Sequence, residues 1–282
     1  MGLPGCLLYD ANILFTLLEG WLQQALTGNI APSSFFVNAE RVHLEAKRIG
    51  VPCLASHQSY SALEDRVKRV NDFAADTLRS FVQFLRQEKT VSGQLSPFDS
   101  NEDIFLVERF IVEQFRPLGQ SKNWEKESLR LLERLIFDAI LRATGKRGST
   151  TSTQSVIDQI LGTLVDLTRI SDGRQTCLVR LQSEVKAPTV FGDPQLFREI
   201  KNNVLIGDDE DVGQLSVAIQ HQKTANIWTV FVTTDYAHVI SVAGDILSKF
   251  KLQCSAPLYA IAYLERLSAK GGPVPDPKQY IR

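Results

Sequence analysis

The sequence has few cysteines, and no pairing pattern exists among them. Only four occur in 282 residues, at Cys6, Cys53, Cys177 and Cys254, and they form no Cys-x-x-Cys motif. Three of them lie in apolar runs that are typical of strands. This distribution indicates buried, reduced thiols rather than a disulfide framework or a zinc site. It favours a cytoplasmic protein.

Long apolar runs and an excess of charge of one sign are also missing. No run approaches the roughly 18 uninterrupted apolar residues that a membrane span needs. The first apolar run is broken by Asp10, and no basic segment precedes it. The net charge is −1, so any contact with nucleic acid must come from a local patch rather than a global basic field. We therefore expect no membrane segment.

Several catalytic motifs are absent. Ser56 and Ser59 lie in no Gly-x-Ser-x-Gly elbow, and no Walker-type glycine loop is present. His57, His221 and His238 show no His-x-x-x-His spacing. The sequence therefore gives no support to a serine hydrolase of that type, a P-loop enzyme or a zinc hydrolase.

The two ends of the chain carry α/β patterns. Strand-like runs cover residues 6–9, 51–55 and 228–232, and helical periodicity follows each of them. Strands that alternate with helices predict an α/β fold with a central, mainly parallel sheet.

The middle of the chain is predicted to be mostly helical, although Thr176–Leu181 has a strand-like composition. We therefore predict a discontinuous α/β domain of residues 1–72 and 204–270, with residues 73–203 as a mostly helical insertion. Residues 271–282 are rich in proline and glycine and are predicted to form an extended tail.

Four acidic residues are placed so that they meet at one edge of the predicted sheet. Asp10 and Asp235 end strands, Glu64 lies on a predicted helix, and Asp211 begins another. The carboxyl edge of a parallel sheet is where ligands bind. Closely packed carboxylates repel one another, and Mg²⁺ or Mn²⁺ removes that repulsion. Such an ion can activate a water for attack on a phosphodiester. The sequence thus indicates a metal site suited to phosphoester hydrolysis.

Four segments around these acids resemble the motifs of the PIN domain family of metal-dependent ribonucleases, in the family's order along the chain. They are Tyr9-Asp-Ala-Asn-Ile-Leu14, Ala55-Ser-His-Gln-Ser-Tyr-Ser-Ala-Leu-Glu64, Asp211-Val-Gly-Gln-Leu-Ser-Val-Ala218 and Val232-Thr-Thr-Asp-Tyr236. The resemblance covers residues 5–70 and 204–268, and the long insertion departs from a compact PIN domain.

The resemblance implies a three-layer α/β/α fold and a ribonuclease that acts on single-stranded or structured RNA through a metal-bound water. It implies that Asp10, Glu64, Asp211 and Asp235 hold Mg²⁺ or Mn²⁺, directly or through water. Asn12 and either Thr233 or Thr234 would orient ligands or contact phosphate. By analogy with other PIN domains, a homodimer or a protein partner could use the helical insertion.

Two of the acid assignments have competitors nearby in the sequence. Glu40 or Glu45 could take the place of Glu64. In the run Gly207-Asp-Asp-Glu-Asp211, Asp208 or Asp209 could take the place of Asp211.

Two other functions remain open from the sequence. One is a non-catalytic PIN-like module that uses its insertion as a partner surface. The other is a haloacid-dehalogenase-like phosphatase, because Leu205-Ile-Gly-Asp-Asp-Glu-Asp211 resembles the late acidic motif of that family. In that family the nucleophile would be Asp10, and a second aspartate is needed two residues later, where this chain has Asn12. Asp235 would have no role in such an enzyme.

Overall fold

The computed structural model describes residues 5–27, 33–117, 126–145 and 149–270. Two compact units are present: the described residues up to 65 and from 177 onward form the α/β unit, and residues 66–176 form the helical unit. Residues 177–203, which the sequence pattern assigns to the insertion, therefore group with the α/β unit. The predicted tail, 271–282, lies outside the described residues.

The secondary structure alternates strands and helices at both ends of the chain and is mostly helical between them. The strands are β1 Gly5–Tyr9, β2 Cys53–Ala55, β3 Thr90–Val91, β4 Gln94–Leu95, β5 Phe98–Asp99, β6 Thr150–Thr151, β7 Trp228–Val232 and β8 Gln253–Ser255. The helices are α1 Ala11–Thr27, α2 Ser34–Ile49, α3 His57–Lys89, α4 Ile104–Phe110, α5 Lys126–Thr144, α6 Thr153–Glu184, α7 Pro194–Asn203, α8 Asp209–Ala225, α9 Ala243–Phe250 and α10 Pro257–Lys270.

The α/β unit contains a four-stranded sheet in the order β2-β1-β7-β8. All three strand pairs are parallel, with Leu8 opposite both Leu54 and Phe231. The prediction of an α/β fold with a parallel sheet is confirmed. Because the strands are parallel, their carboxyl ends lie at one edge, and the residues that follow β1, β2 and β7 are brought together there.

The two faces of the sheet pack against different helices. Leu8 and Phe231 share one buried cluster with residues of α7, α8 and α9, including Leu215 of α8. On the other face the Tyr9 hydroxyl lies 3.2 Å from Cys53 Sγ, and the Tyr9 ring lies against a histidine of α2. Side chains alternate between faces along a strand, so residues 8 and 9 point in opposite directions. The arrangement is compatible with a three-layer α/β/α fold.

Two predictions of local structure need correction. The helical segment that follows residues 51–55 and the start of the predicted insertion at residue 73 are not separate, because one continuous helix, α3, runs through both. The strand-like segment Thr176–Leu181 lies inside α6, where Cys177, Leu178 and Leu181 are buried at helical spacing. A short apolar run does not distinguish a strand from a buried helical turn, and here the preceding helix continues through it.

The helical unit has its own apolar core, which includes Phe81, Phe110 and Ile136. Two small antiparallel pairs, β3-β4 and β5-β6, accompany it. Ser92 and Gly93 connect β3 and β4 with φ values of 51° and 79°, as tight hairpin turns require. Within the described part of the chain, no helix is both long and apolar enough to cross a membrane.

Candidate metal centre

Asp10 immediately follows β1 and is almost completely buried, with 1% of its surface exposed. Its main chain continues the sheet, since Asp10 N donates to Val232 O at 3.0 Å. Its Oδ2 accepts hydrogen bonds from the Thr233 hydroxyl at 2.5 Å and the Asn12 amide at 3.1 Å. Burial raises the pKa of the Asp10 carboxyl, and these hydrogen bonds oppose that shift. Asp10 is therefore a desolvated carboxyl held in a defined orientation.

The turn after β7 brings Asp235 to the same edge. The Thr233 oxygen, which donates to Asp10, also accepts from the main-chain N–H of Asp235 at 2.9 Å. Thr233 is buried, whereas Thr234 is half-buried and accepts through its main-chain oxygen from Tyr236 N at 3.0 Å. Of the two threonines named from the sequence, Thr233 is therefore the one whose side chain orients an acid of the site.

Asp211 lies in the first turn of α8 with 7% of its surface exposed. Burial raises the pKa of its carboxyl to about 7; the charges of Asp10, Asp235 and Asp208 act in the same direction, and His238 acts against them. Its buried Oδ2 has no hydrogen-bond partner among the described residues. An ionised carboxylate in this position is unfavourable unless a cation lies beside it.

His238 joins the site, although no role in it was predicted for this residue. Its main-chain N–H donates to Asp235 Oδ1 at 2.8 Å, and its Nδ1 lies 3.1 Å from Asp235 Oδ2 and 3.8 Å from Asp211 Oδ2. One ligand atom from each of these three residues lies within 4.8 Å of the others. The Asp-x-x-His spacing could have indicated this role from the sequence, because in a tight turn the side chains of residues three positions apart lie beside each other.

Gln214 is a second residue that the sequence argument missed, and it connects the elements around the site. Its Oε1 accepts from Ala11 N at 3.2 Å and from the Ser59 hydroxyl at 2.8 Å, while its Nε2 donates to Glu210 Oε1 at 3.1 Å. Gln214 and Ser59 are buried. Gln214 lies one helical turn after Asp211. This spacing could have indicated from the sequence that Gln214 lies on the same face of the helix as that acid. The contacts hold the first turns of α1, α3 and α8 together.

Glu64 is not brought into this group. It is exposed on α3, about two turns after the helix begins at His57. The metal-compatible group consists of Asp211, Asp235 and His238, and the carboxylates that raise the pKa of Asp211 are Asp10, Asp235 and Asp208. The role of Glu64 stays a prediction.

The two glutamates considered in its place have partners of their own. Glu40 accepts a hydrogen bond from Trp21 Nε1 at 3.1 Å. Glu45 pairs with Arg48, one turn further along α2, through bonds of 2.8 and 2.5 Å. These contacts explain the positions of both side chains within α2 and its neighbour α1.

The competing aspartates also have different positions from Asp211. Asp208 is the N-cap of α8 and accepts from Glu210 N at 2.8 Å. Asp209 is exposed and pairs with Lys201 at 2.5 Å. Of the three aspartates in this run, Asp211 alone is buried beside Asp10 and Asp235.

The donor set fits a divalent cation. Asp211 and Asp235 offer carboxylate oxygens of the kind that Mg²⁺ and Mn²⁺ prefer, and Asp10 is close enough for its charge to raise the pKa of Asp211. The buried Oδ2 of Asp211 has no hydrogen-bond partner among the described residues. The imidazole of His238 adds a nitrogen, which a transition ion accepts more readily than Mg²⁺ does. The set therefore suits Mn²⁺ better than Mg²⁺.

Comparisons of the chain with protein-family models, with curated proteins and with solved structures found no match. Membership of the PIN family therefore stays a prediction, and we infer the function from the residues of the site.

Proposed function

We propose that the protein is a PIN-like, Mg²⁺- or Mn²⁺-dependent ribonuclease that hydrolyses RNA phosphodiester bonds at the carboxyl edge of its sheet. The observation that carries the proposal is Asp211, whose buried Oδ2 has no hydrogen-bond partner among the described residues and whose carboxyl is close enough to Asp10 and Asp235 for their charges to raise its pKa. This arrangement destabilises the folded chain unless a cation is bound. A function that requires a bound cation explains why these carboxylates lie together.

Each residue then has a defined task. Asp10, Asp211 and Asp235 hold the ion, which when bound activates a water and stabilises negative charge on the phosphodiester. Thr233 and Asn12 hold the Asp10 carboxylate in one orientation through their hydrogen bonds to Oδ2. His238 orients Asp235 in the same way through its main-chain N–H, which donates to Oδ1.

The test is cleavage of 5′-labelled mixed RNA in Mn²⁺ by the wild type and by Asp10→Asn. We expect wild-type cleavage that EDTA abolishes, and a loss of about 100-fold or more in the variant, since removing one group that stabilises charge in a transition state costs about 100- to 1,000-fold. Asp209→Asn is the matched control, because it removes an exposed acid from the same helix. Equal cleavage by wild type and Asp10→Asn would overturn the proposal.

Two further measurements separate the rival functions. Calorimetric Mn²⁺ binding without cleavage of any RNA in the mixture would favour the non-catalytic module. Hydrolysis of p-nitrophenyl phosphate that depends on Asp10, with RNA left intact, would favour the phosphatase. We expect no phosphatase activity, because Asn12 donates to Asp10 and has no acidic proton to supply.

A further inference from the structure

Phe191 and His57 form an exposed aromatic pair in the α/β unit. Their ring centroids are 5.5 Å apart and the rings are inclined by 16°, which is a stacked arrangement. Phe191 nevertheless leaves 72% of its surface exposed. One face of the phenyl ring is therefore covered by the imidazole, and the other is open to a ligand.

The path of the chain places this pair at the carboxyl edge of the sheet. Lys186 forms a parallel bridge with Leu54, accepting from Ala55 N at 3.0 Å and donating to Cys53 O at 3.1 Å. The segment from Lys186 therefore runs in the direction of β2 and leaves it at its carboxyl end. His57 follows the same end of β2 and begins α3. The aromatic pair and Asp10 thus belong to neighbouring strands at one edge.

The Phe191 segment is held against the helix that carries Asp211. The Ser216 hydroxyl of α8 donates to Asp193 O at 3.4 Å, and Asp193 caps α7 by accepting from Gln195 N at 2.8 Å. Gly192 approaches α8 so closely that a Cβ at this position would lie 3.0 Å from Ser216 Oγ. The chain is therefore held before Phe191 by Lys186 and after it by Gly192 and Asp193. Because the segment that carries the phenyl ring is already fixed, the entropic cost of binding a ligand is lower.

A second exposed aromatic residue lies in the turn after β7. Tyr236 follows Asp235 directly and is 52% exposed. In the sheet order β2-β1-β7, the strand that precedes His57 and the strand that precedes Tyr236 flank β1, which Asp10 follows. Neighbouring strands are about 4.8 Å apart, so the distance from β2 to β7 is roughly 10 Å. That distance corresponds to about two or three stacked nucleotides at roughly 3.4 Å per step.

We infer that Phe191, stacked on His57, is a base-stacking subsite that holds a single-stranded nucleic acid across the carboxylates. Aromatic side chains at such sites stack with bases of any sequence, and a single strand offers free base faces for this contact. A duplex does not, because its bases already stack on one another. The inference rests on the proposed nuclease function for the chemistry, but the stacking itself is a binding property that can be measured separately.

The experiment uses the full chain and a 12-nucleotide single-stranded RNA that carries 2-aminopurine at one internal position. Ca²⁺ replaces Mn²⁺ so that binding is measured by fluorescence anisotropy without turnover. We expect Phe191→Ala to weaken binding by about 10- to 100-fold and to remove the fluorescence quenching that stacking causes. Phe191→Trp should keep both properties, because it preserves the aromatic face.

The matched control is Phe105→Ala, which removes a phenyl ring of similar exposure, 66%, from the helical unit. Its affinity should stay within about twofold of the wild type, as expected for surface substitutions away from a site. Thermal unfolding of both variants checks that they fold. Unchanged binding by Phe191→Ala, or equal affinity of the wild type for the single strand and its duplex, would overturn the inference.

The inference and the proposed function can fail independently. Cleavage that depends on Asp10, combined with Phe191-independent binding, would retain the nuclease and remove the subsite. Phe191-dependent binding with quenching, combined with no cleavage under any metal, would retain the subsite and remove the nuclease.

Discussion

The Thr233 hydroxyl donates a 2.5 Å hydrogen bond to Oδ2 of Asp10, although 223 positions separate the two residues in the chain. The parallel register explains the contact, because Tyr9 pairs with Val232 and the next residue of each strand therefore lies at the same level. Thr233 is fully buried and Asp10 nearly so. This bond joins the two halves of the discontinuous α/β unit at the candidate metal centre.

Replacing Thr233 with valine removes this bond while keeping the shape of the side chain. The buried Asp10 carboxyl then loses a donor, so we expect its pKa to rise further and the free energy of unfolding to fall by about 1–3 kcal/mol. Mn²⁺ affinity should fall as well, because the carboxylate is harder to ionise. Urea unfolding and calorimetric Mn²⁺ titration at pH 8 measure the two effects. Thr234→Val is the control, and an equal effect in both variants would contradict the assignment.

The stability of the metal-free protein should depend on the ionisation of Asp211. Its pKa is raised from 3.8 to about 7, so the folded state retains a proton that the unfolded state releases. Stability is therefore lost as the pH rises from about 4 to about 7. We expect Asp211→Asn to be about 2–4 kcal/mol more stable than the wild type at pH 8 in EDTA, with little difference at pH 4. A stability advantage of Asp211→Asn that grows as the pH falls would show that ionisation of Asp211 is not the cause.

Mn²⁺ binding should release the proton of Asp211. Below pH 7 the ion competes with that proton, so the apparent affinity should fall about tenfold for each pH unit. The measurement is Mn²⁺ titration between pH 5.5 and about 8.5, in two buffers of different ionisation enthalpy, so that proton release is counted directly. Asp209→Asn should follow the wild-type curve, since that residue is exposed. An affinity independent of pH would argue against Asp211 as a ligand.

Glu184 should stabilise the α/β unit at neutral pH and make its stability sensitive to acid. Burial opposes its ionisation, but hydrogen bonds from His43, Arg180 and Lys47 lower its pKa from 4.5 to about 2. This stabilisation is present above about pH 4.5 and is lost as the pH falls towards 2. We expect Glu184→Gln to lower the free energy of unfolding by about 1–2 kcal/mol at pH 7, allowing for partial solvent screening, and by less at pH 3. Asp76→Asn, at an exposed ion pair, should change little at either pH.

The predicted role of Glu64 can be separated from that of the buried acids. Because Glu64 is exposed on α3, we expect Glu64→Gln to keep Mn²⁺ affinity within about threefold and unfolding within about 0.5 kcal/mol of the wild type. Asp10→Asn is the comparison, and it should lose Mn²⁺ binding. A loss in Glu64→Gln as large as that in Asp10→Asn would show that Glu64 reaches the ion.

The sequence alone determined the parts of the site that depend on strand order and short spacings. Asp10 and Asp235 each end or follow an apolar run, and parallel strands bring such residues to one edge. Asn12 contacts Asp10 because the chain turns into α1 immediately after β1. These features needed only local geometry and the α/β pattern, so they could be predicted without a structure.

Tertiary packing decided the rest. Helical phase, which depends on how α8 lies on the sheet, turns Asp211 inward and Asp209 outward. The packing of α8 on the sheet brings Asp211 to Asp235 and His238, and the route of the segment beyond Lys186 brings Phe191 onto His57. Long-range contacts of this kind depend on the free energy of the whole packed unit. No local pattern encodes them, which is also why Thr176–Leu181 continues a helix instead of forming a strand.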